Sequence, residues 1–154
     1  MAEKLIIRPY IPDDIPAIAE IEKRCFSMPW SEKSLREFCV YPFGRILTAE
    51  LDGQVAGYIT YSQIFEEVQI ANVAVAPGFR RMGIAEKLIR RLLSDGIDNN
   101  SETVFLEVRE SNIPARSLYE KCGFYVVGER KGYYSNPKED AVLMNYTYPP
   151  RKEQ

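Results

Sequence analysis

The chain contains no histidine. That absence removes Ser-His-Asp and Cys-His catalysis, histidine general bases and nearly every catalytic zinc arrangement. Cysteine is scarce: Cys25, Cys39 and Cys122 form an odd set with no C-x-x-C spacing. Each sits among apolar neighbours, which reads as buried thiols in a reducing cytosol rather than a disulfide or a nucleophile. No apolar run approaches the ~18 residues that a transmembrane helix needs, and residues 1–4 lead into a short apolar strand without a signal-peptide core. An excess of one charge is lacking as well. Lys and Arg number 20 against 22 Asp and Glu, a net charge of −2, which is a poor basis for general nucleic-acid binding. The expectation is a cytoplasmic protein with no metal, no membrane contact and no direct nucleic-acid partner. Its chemistry has to run on carboxylates, tyrosine, backbone amides or a bound cofactor.

What is present suits one globular domain. The 154 residues are 45% hydrophobic and 27% charged, enough to bury a core without a disulfide or metal. The domain is expected over residues 1–148, with 149–154 a frayed tail. Residues 5–8 read as a strand. Asp13, Asp14 and Pro16 open a helix to Cys25, with Ile15, Ile18, Ile21 and Cys25 at helical spacing. Ser31 caps a second helix over 32–39, and Pro42 ends that region. Strands at 46–51 and 55–65 are joined by Asp52-Gly53, a strong hairpin signal, and 68–75 is the next strand. Ile84, Ala85, Leu88, Ile89, Leu92 and Leu93 make the apolar face of a long amphipathic helix. A strand at 104–108 and a helix at 112–121, stopped by Gly123, follow. Strands at 124–129 and 141–148 flank a loop at 133–140. The order βαα-βββ-αβαββ is that of an α/β sandwich with a mixed sheet.

Between the strand ending at Val73-Ala74-Val75 and the long helix lies a loop containing Gly78, Arg80, Arg81 and Gly83. Free amides and the positive end of the helix dipole make such a loop an anion site, and Gly83 lets phosphate approach the backbone. An ordinary surface turn fits the same residues. Gly78-x4-Gly83 imitates a P-loop, but Ile84-Ala85 replaces the Lys-Ser/Thr pair, so nucleotide hydrolysis is not expected. No G-x-G-x-x-G is present.

Arg80-x-x-Gly83-x-Ala85 resembles the Q/R-x-x-G-x-G/A pyrophosphate signature of the GNAT acetyltransferase superfamily. The element order is similar to that fold from Leu5 to Tyr148. Four further segments resemble its RimI branch, which acetylates the N-terminal alanine of small-ribosomal-subunit protein eighteen. They are Met28-Pro29-Trp30-Ser31, Leu106-Glu107-Val108-Arg109-x-Ser111-Asn112, Leu118-Tyr119-Glu120-x-x-Gly123-Phe124 and Tyr133-Tyr134 with Glu139-Asp140-Ala141. Ala85 departs from the glycine that many members carry, as the signature permits. The resemblance implies a mixed, mostly antiparallel sheet with helices on both faces. It also implies acetyl-CoA as co-substrate and a ribosomal-protein N-terminus as acceptor.

By resemblance, the backbone of Val73, Ala74 and Val75 pairs with the pantetheine arm, like an added strand. Amides of Arg81, Met82, Gly83, Ile84, Ala85 and Glu86, after Arg80, cradle the pyrophosphate. Asn112 bonds the cofactor further along, although it fits the N-cap of the following helix equally well. The positions of Glu107 and Tyr119 are those of general base and general acid. Read without the resemblance, Glu107 is either paired with a neighbour such as Arg109 or held for use, and Tyr119 is a core aromatic. An amide near Val73 suits the thioester oxygen. The acceptor slot falls between Trp30 and the Tyr133-Tyr134 hairpin. Trp30 also reads as a hydrophobic anchor for its loop. Glu66 and Glu67 read as a solvated turn, or as acidic groups facing a basic acceptor. Two other functions use the same residues: acetyl transfer to lysine or small amines, and a silent acetyl-CoA-binding module. The presence of both Glu107 and Tyr119 argues against the silent module.

Overall fold

The computed structural model describes residues 4–40 and 43–150. Pro42, expected to end the region after the second helix, the start of the chain before Lys4 and the tail after Pro150 lie outside the described residues. The elements are β1 (Leu5–Pro9), α1 (Ile15–Cys25), α2 (Glu32–Val40), β2 (Gly44–Leu51), β3 (Gln54–Ile64), β4 (Glu67–Val75), α3 (Ile84–Asp98), β5 (Thr103–Arg109), α4 (Ile113–Lys121), β6 (Tyr125–Tyr134) and β7 (Glu139–Thr147). They build one seven-stranded sheet in the order β1-β2-β3-β4-β5-β7-β6. Every neighbouring pair is antiparallel except β4 and β5, so the sheet is mixed and mostly antiparallel.

Alternation along the strands divides the core in two. Ile46, Tyr58 and Ala74 face α1 and α2, packing with Ile15, Ile18, Ile21 and Leu35. Leu47, Ile59, Val104 and Leu106 face the other way, against Leu88, Ile89 and Leu92 of α3 and Tyr119 of α4. Helices therefore cover both faces. Asp14 ends a short 3-10 turn ahead of α1 rather than lying in the helix. Its buried carboxylate accepts from the two terminal nitrogens of the Arg8 guanidinium, at 2.8 and 3.0 Å, tying β1 to the start of α1. Ser31 caps α2 as expected, its hydroxyl accepting from Ser34 N–H at 3.1 Å. The long helix runs on to Asp98, and Gly96 is required inside it. A Cβ there would lie 2.0 Å from the Tyr148 hydroxyl, which donates to Leu93 O at 2.8 Å.

The loop expected at 133–140 is shorter. Tyr133 and Tyr134 belong to β6, Glu139 and Asp140 to β7, and Tyr134 pairs with Glu139. Aromatic residues favour extended backbone, and Arg109 holds the turn closed, as described below. Among the described residues no helix is long and apolar enough to cross a membrane.

Candidate active site

The site begins where the sheet comes apart. The parallel ladder between β4 and β5 spans only Glu67, Val68 and Gln69 against Thr103, Val104 and Phe105. Beyond it the strands share no register, leaving a gap through the sheet. Ala76 N–H donates to Ala56 O at 2.8 Å, and Gly57 stands opposite Val75. Antiparallel pairs alternate, so Ala74 turns its amide toward β3, while Val73 and Val75 turn theirs to the gap. The Val75 carbonyl accepts from Arg80 Nε at 3.4 Å on that side.

A cavity of about 390 Å³ opens along this edge on the α3 side. Val73, Ala74, Val75, Arg80, Arg81, Gly83, Ile84, Ala85, Glu86 and Asn112 line it. Met82, alone of the run 80–86, does not. Arg81 and Gly83 both adopt left-handed backbone, with φ of 65° and 74°, which gathers successive amides into an anion-binding concavity. The first amides of α3 have no partner within the helix, and a Cβ on Gly83 would meet nothing within 4 Å. Glu86 would repel an anion, but Lys121 at 2.8 Å and Arg90 at 2.9 Å engage its carboxylate. Those two hydrogen bonds hold its pKa below the usual range.

A second cavity, about 670 Å³, lies on the α1 side and meets the first at Cys25, Phe26, Val73, Asn112, Ala115 and Tyr119. Its walls include Trp30, Glu107, Arg109, Tyr133 and Tyr134. Tyr119 is 8% exposed and borders both cavities. Burial, followed by the nearby Tyr134 and Cys122, pushes its pKa well above the usual tyrosine value. Its hydroxyl has no hydrogen-bond partner among the described residues, and its ring packs 5.6 Å from Phe124.

Glu107 lies on the β5 face away from buried Val104, Leu106 and Val108. Among the described residues it forms no ion pair and no side-chain hydrogen bond. Arg109, its expected alternative partner, is engaged elsewhere. It donates to Pro137 O at 2.9 Å, Ser135 O at 2.9 Å and Glu139 at 3.2 Å, and its guanidinium covers the Tyr134 ring at 4.5 Å. The Tyr134 hydroxyl is pushed up to about 12 by burial and then by the Glu107 carboxylate.

Asn112 does cap α4, accepting from Ala115 N–H at 3.3 Å, and it also lines both cavities. Trp30 anchors its loop, its ring packing tilted 5.2 Å from Phe38, and it also walls the second cavity. Glu67 is exposed at the start of β4 and lines neither cavity, standing apart from the other candidates. Only Cys122 is a buried thiol. Cys25 and Cys39 are half-buried, and all three are free. Sequence reasoning missed the Arg109 clamp and a buried carboxylate, Glu22, behind the second cavity. The signal for Glu22 was a charge at helical spacing from Ile15, Ile18 and Cys25, on the apolar stripe of α1.

Residues 15–124 match the family described as "Acetyltransferase (GNAT) family". The chain belongs to the GNAT acetyltransferase family. It is an acetyl-CoA-dependent N-acetyltransferase. The [ribosomal protein bS18]-alanine N-acetyltransferase of Escherichia coli (strain K12) is 34% identical over 135 residues, covering 85% of this chain and 89% of that one. The crystal structure of the Escherichia coli ribosomal-protein-S18-alanine N-acetyltransferase superposes with a TM-score of 0.90 at 29% identity, covering 97% of each chain. Ard1 from Thermoplasma volcanium superposes with a TM-score of 0.86 at 28% identity, covering 95% of this chain and 99% of that one. Within the GNAT family, then, this chain is similar to enzymes named ribosomal-protein-S18-alanine N-acetyltransferase.

Proposed function

We propose that this GNAT enzyme acetylates the N-terminal alanine α-amine of the ribosomal protein bS18, with Glu107 as base and Tyr119 as acid. One observation carries the reading: Tyr119 borders both cavities at the gap in the sheet, and an unpaired Glu107 lies on the second one. The β4 edge pairs with the pantetheine arm through the Val75 amide, and the amides of residues 81–86 receive the pyrophosphate. Asn112 adds a polar contact where the cavities meet. Bound acetyl-CoA supplies an acetyl group activated as a thioester. Glu107 takes the proton of the attacking amine, directly or through water, as the C–N bond forms. Val73 N–H donates to the carbonyl oxygen as charge builds there. Tyr119 gives its proton to the departing sulfur as the C–S bond breaks.

An α-amine with a pKa near 7.7–8.0 is neutral about 300-fold more often than a lysine near 10.4, so a carboxylate base suffices for it at neutral pH. Trp30, Tyr133 and Tyr134 leave a slot for a small first residue. Thiol release from acetyl-CoA with an Ala-Arg peptide tests the assignment. The wild type should turn over, and Glu107→Gln should lose about 10²-fold in kcat with acetyl-CoA affinity unchanged. No thiol release with any amine would leave a silent cofactor-binding module.

A further inference from the structure

Glu22 is 0% exposed, and no cation pairs with its carboxylate among the described residues. Instead it gathers three donors from three parts of the chain. The Tyr58 hydroxyl of β3 donates to Oε1 in a short hydrogen bond. Asn72 Nδ2 of β4 donates to the same oxygen at 2.8 Å. Trp30 N–H, in the connection between α1 and α2, donates to Oε2 at 3.1 Å. A buried carboxylate without a cation is costly, and well-packed apolar residues often serve stability as well or better. Stability alone gives little reason for this one.

What Glu22 ties together is more telling. Asn72 immediately precedes Val73, whose amide faces the gap. The backbone there is irregular: Thr60 pairs with Asn72 and Tyr61 with Ile70, so Ala71 is an extra residue. At this bulge the Asn72 N–H is held by the Thr60 hydroxyl, at 3.0 Å. Bulged backbone is not fixed by a regular ladder, and side chains have to set its position. The third donor, Trp30, walls the second cavity. One carboxylate therefore spans the strand that presents the Val73 amide and the loop that bounds the acceptor.

We propose that Glu22 is a positioning residue, fixing the Trp30 wall relative to the Asn72–Val73 backbone so that amine and acetyl carbonyl meet at the distance and angle for attack. It rests on the reading that acetyl-CoA lies along Val73 and Val75, and not on which amine is the acceptor. Small misplacements of reacting groups cost large factors in rate.

The test is steady-state kinetics per folded molecule, using whichever acceptor the wild type acetylates, with acetyl-CoA affinity measured calorimetrically. Glu22→Gln keeps the shape but offers one accepting oxygen instead of two, so one of the three donors meets an NH₂ group. It should raise the acceptor KM and lower kcat, each about 10-fold, while acetyl-CoA affinity stays within about twofold. Tyr58→Phe deletes one donor and should move both constants in the same direction by less. Wild-type kcat and acceptor KM in both variants, whatever their melting temperatures, would overturn the proposal. If Glu22→Gln fails to fold, unchanged constants in Tyr58→Phe overturn it by themselves. Shifted variants of an enzyme that acetylates only lysine would uphold Glu22 and refute the alanine assignment. A wild type that acetylates no amine would refute both.

Discussion

Tyr119 is a core residue to which the proposed function adds a second role, that of acid. Its ring packs with Phe124 and Cys122 in the core on the α3 side, and the residue lines both cavities where they meet. The aromatic that reads as core and the aromatic that reads as an acid are the same side chain, divided along its length. Burial raises its pKa, so the phenol stays protonated throughout the pH range in which an α-amine loses its proton. Tyr119→Phe preserves the packing and removes the proton. Turnover should fall about 10²-fold, with acetyl-CoA affinity and melting temperature nearly unchanged. Full turnover by that variant would leave Tyr119 a packing residue only. The activity of the wild type should rise with pH as the amine deprotonates, near 8, and should show no loss assignable to Tyr119 below pH ~10.

At the scale of elements, the periodic parts were legible and the irregular ones were not. The apolar stripe of α3 and the Asp52-Gly53 turn depend on local pattern and local backbone preference, so sequence alone places them. The splay of β4 from β5 and the bulge at Ala71, beside which Asn72 is bonded to Thr60 and Glu22, are non-local features whose parts meet only after folding. The loop ahead of α3 was readable as a candidate anion site because glycine before a helix is a local signal. The wall of the second cavity was half readable. Trp30, Tyr133 and Tyr134 were visible as aromatics, but Arg109 holding the 135–138 turn against β5 was not. The extension of β6 through Tyr134 follows from that clamp. Arg109→Lys leaves one compact ammonium for a fork that reaches two carbonyls and a carboxylate. The turn should then exchange its amide hydrogens at least about 10-fold faster, and the acceptor KM should rise. Unchanged exchange in the turn would show that Arg109 does not hold it.

For the whole molecule, the lack of histidine leaves few groups to titrate near neutrality. Burial alone would raise the pKa of Asp14, but hydrogen bonds from Arg8, the Ile11 amide and Thr48 outweigh it and hold the carboxyl below its usual value. Its contribution to stability is present above the unfolded value near 4 and is lost as pH falls through the folded one. Tyr58 and Tyr119 are shifted upward by burial, and Tyr58 also by Glu22. They contribute stability below the unfolded value near 10 and lose it as pH rises beyond. The melting temperature should be level from about pH 5 to 9 and fall on both sides. A steep change between about pH 5 and 8 in calorimetry would contradict this balance of groups. The central claim is that the two cavities bring an α-amine, and not a lysine, to the acetyl group. Its most direct test is mass spectrometry of an Ala-Arg peptide containing lysine, incubated with enzyme and acetyl-CoA in free and N-blocked forms. The account predicts acetyl only on the first nitrogen of the free peptide, and most of it lost in Glu107→Gln. Acetylation of lysine in the blocked peptide at a similar rate would contradict it.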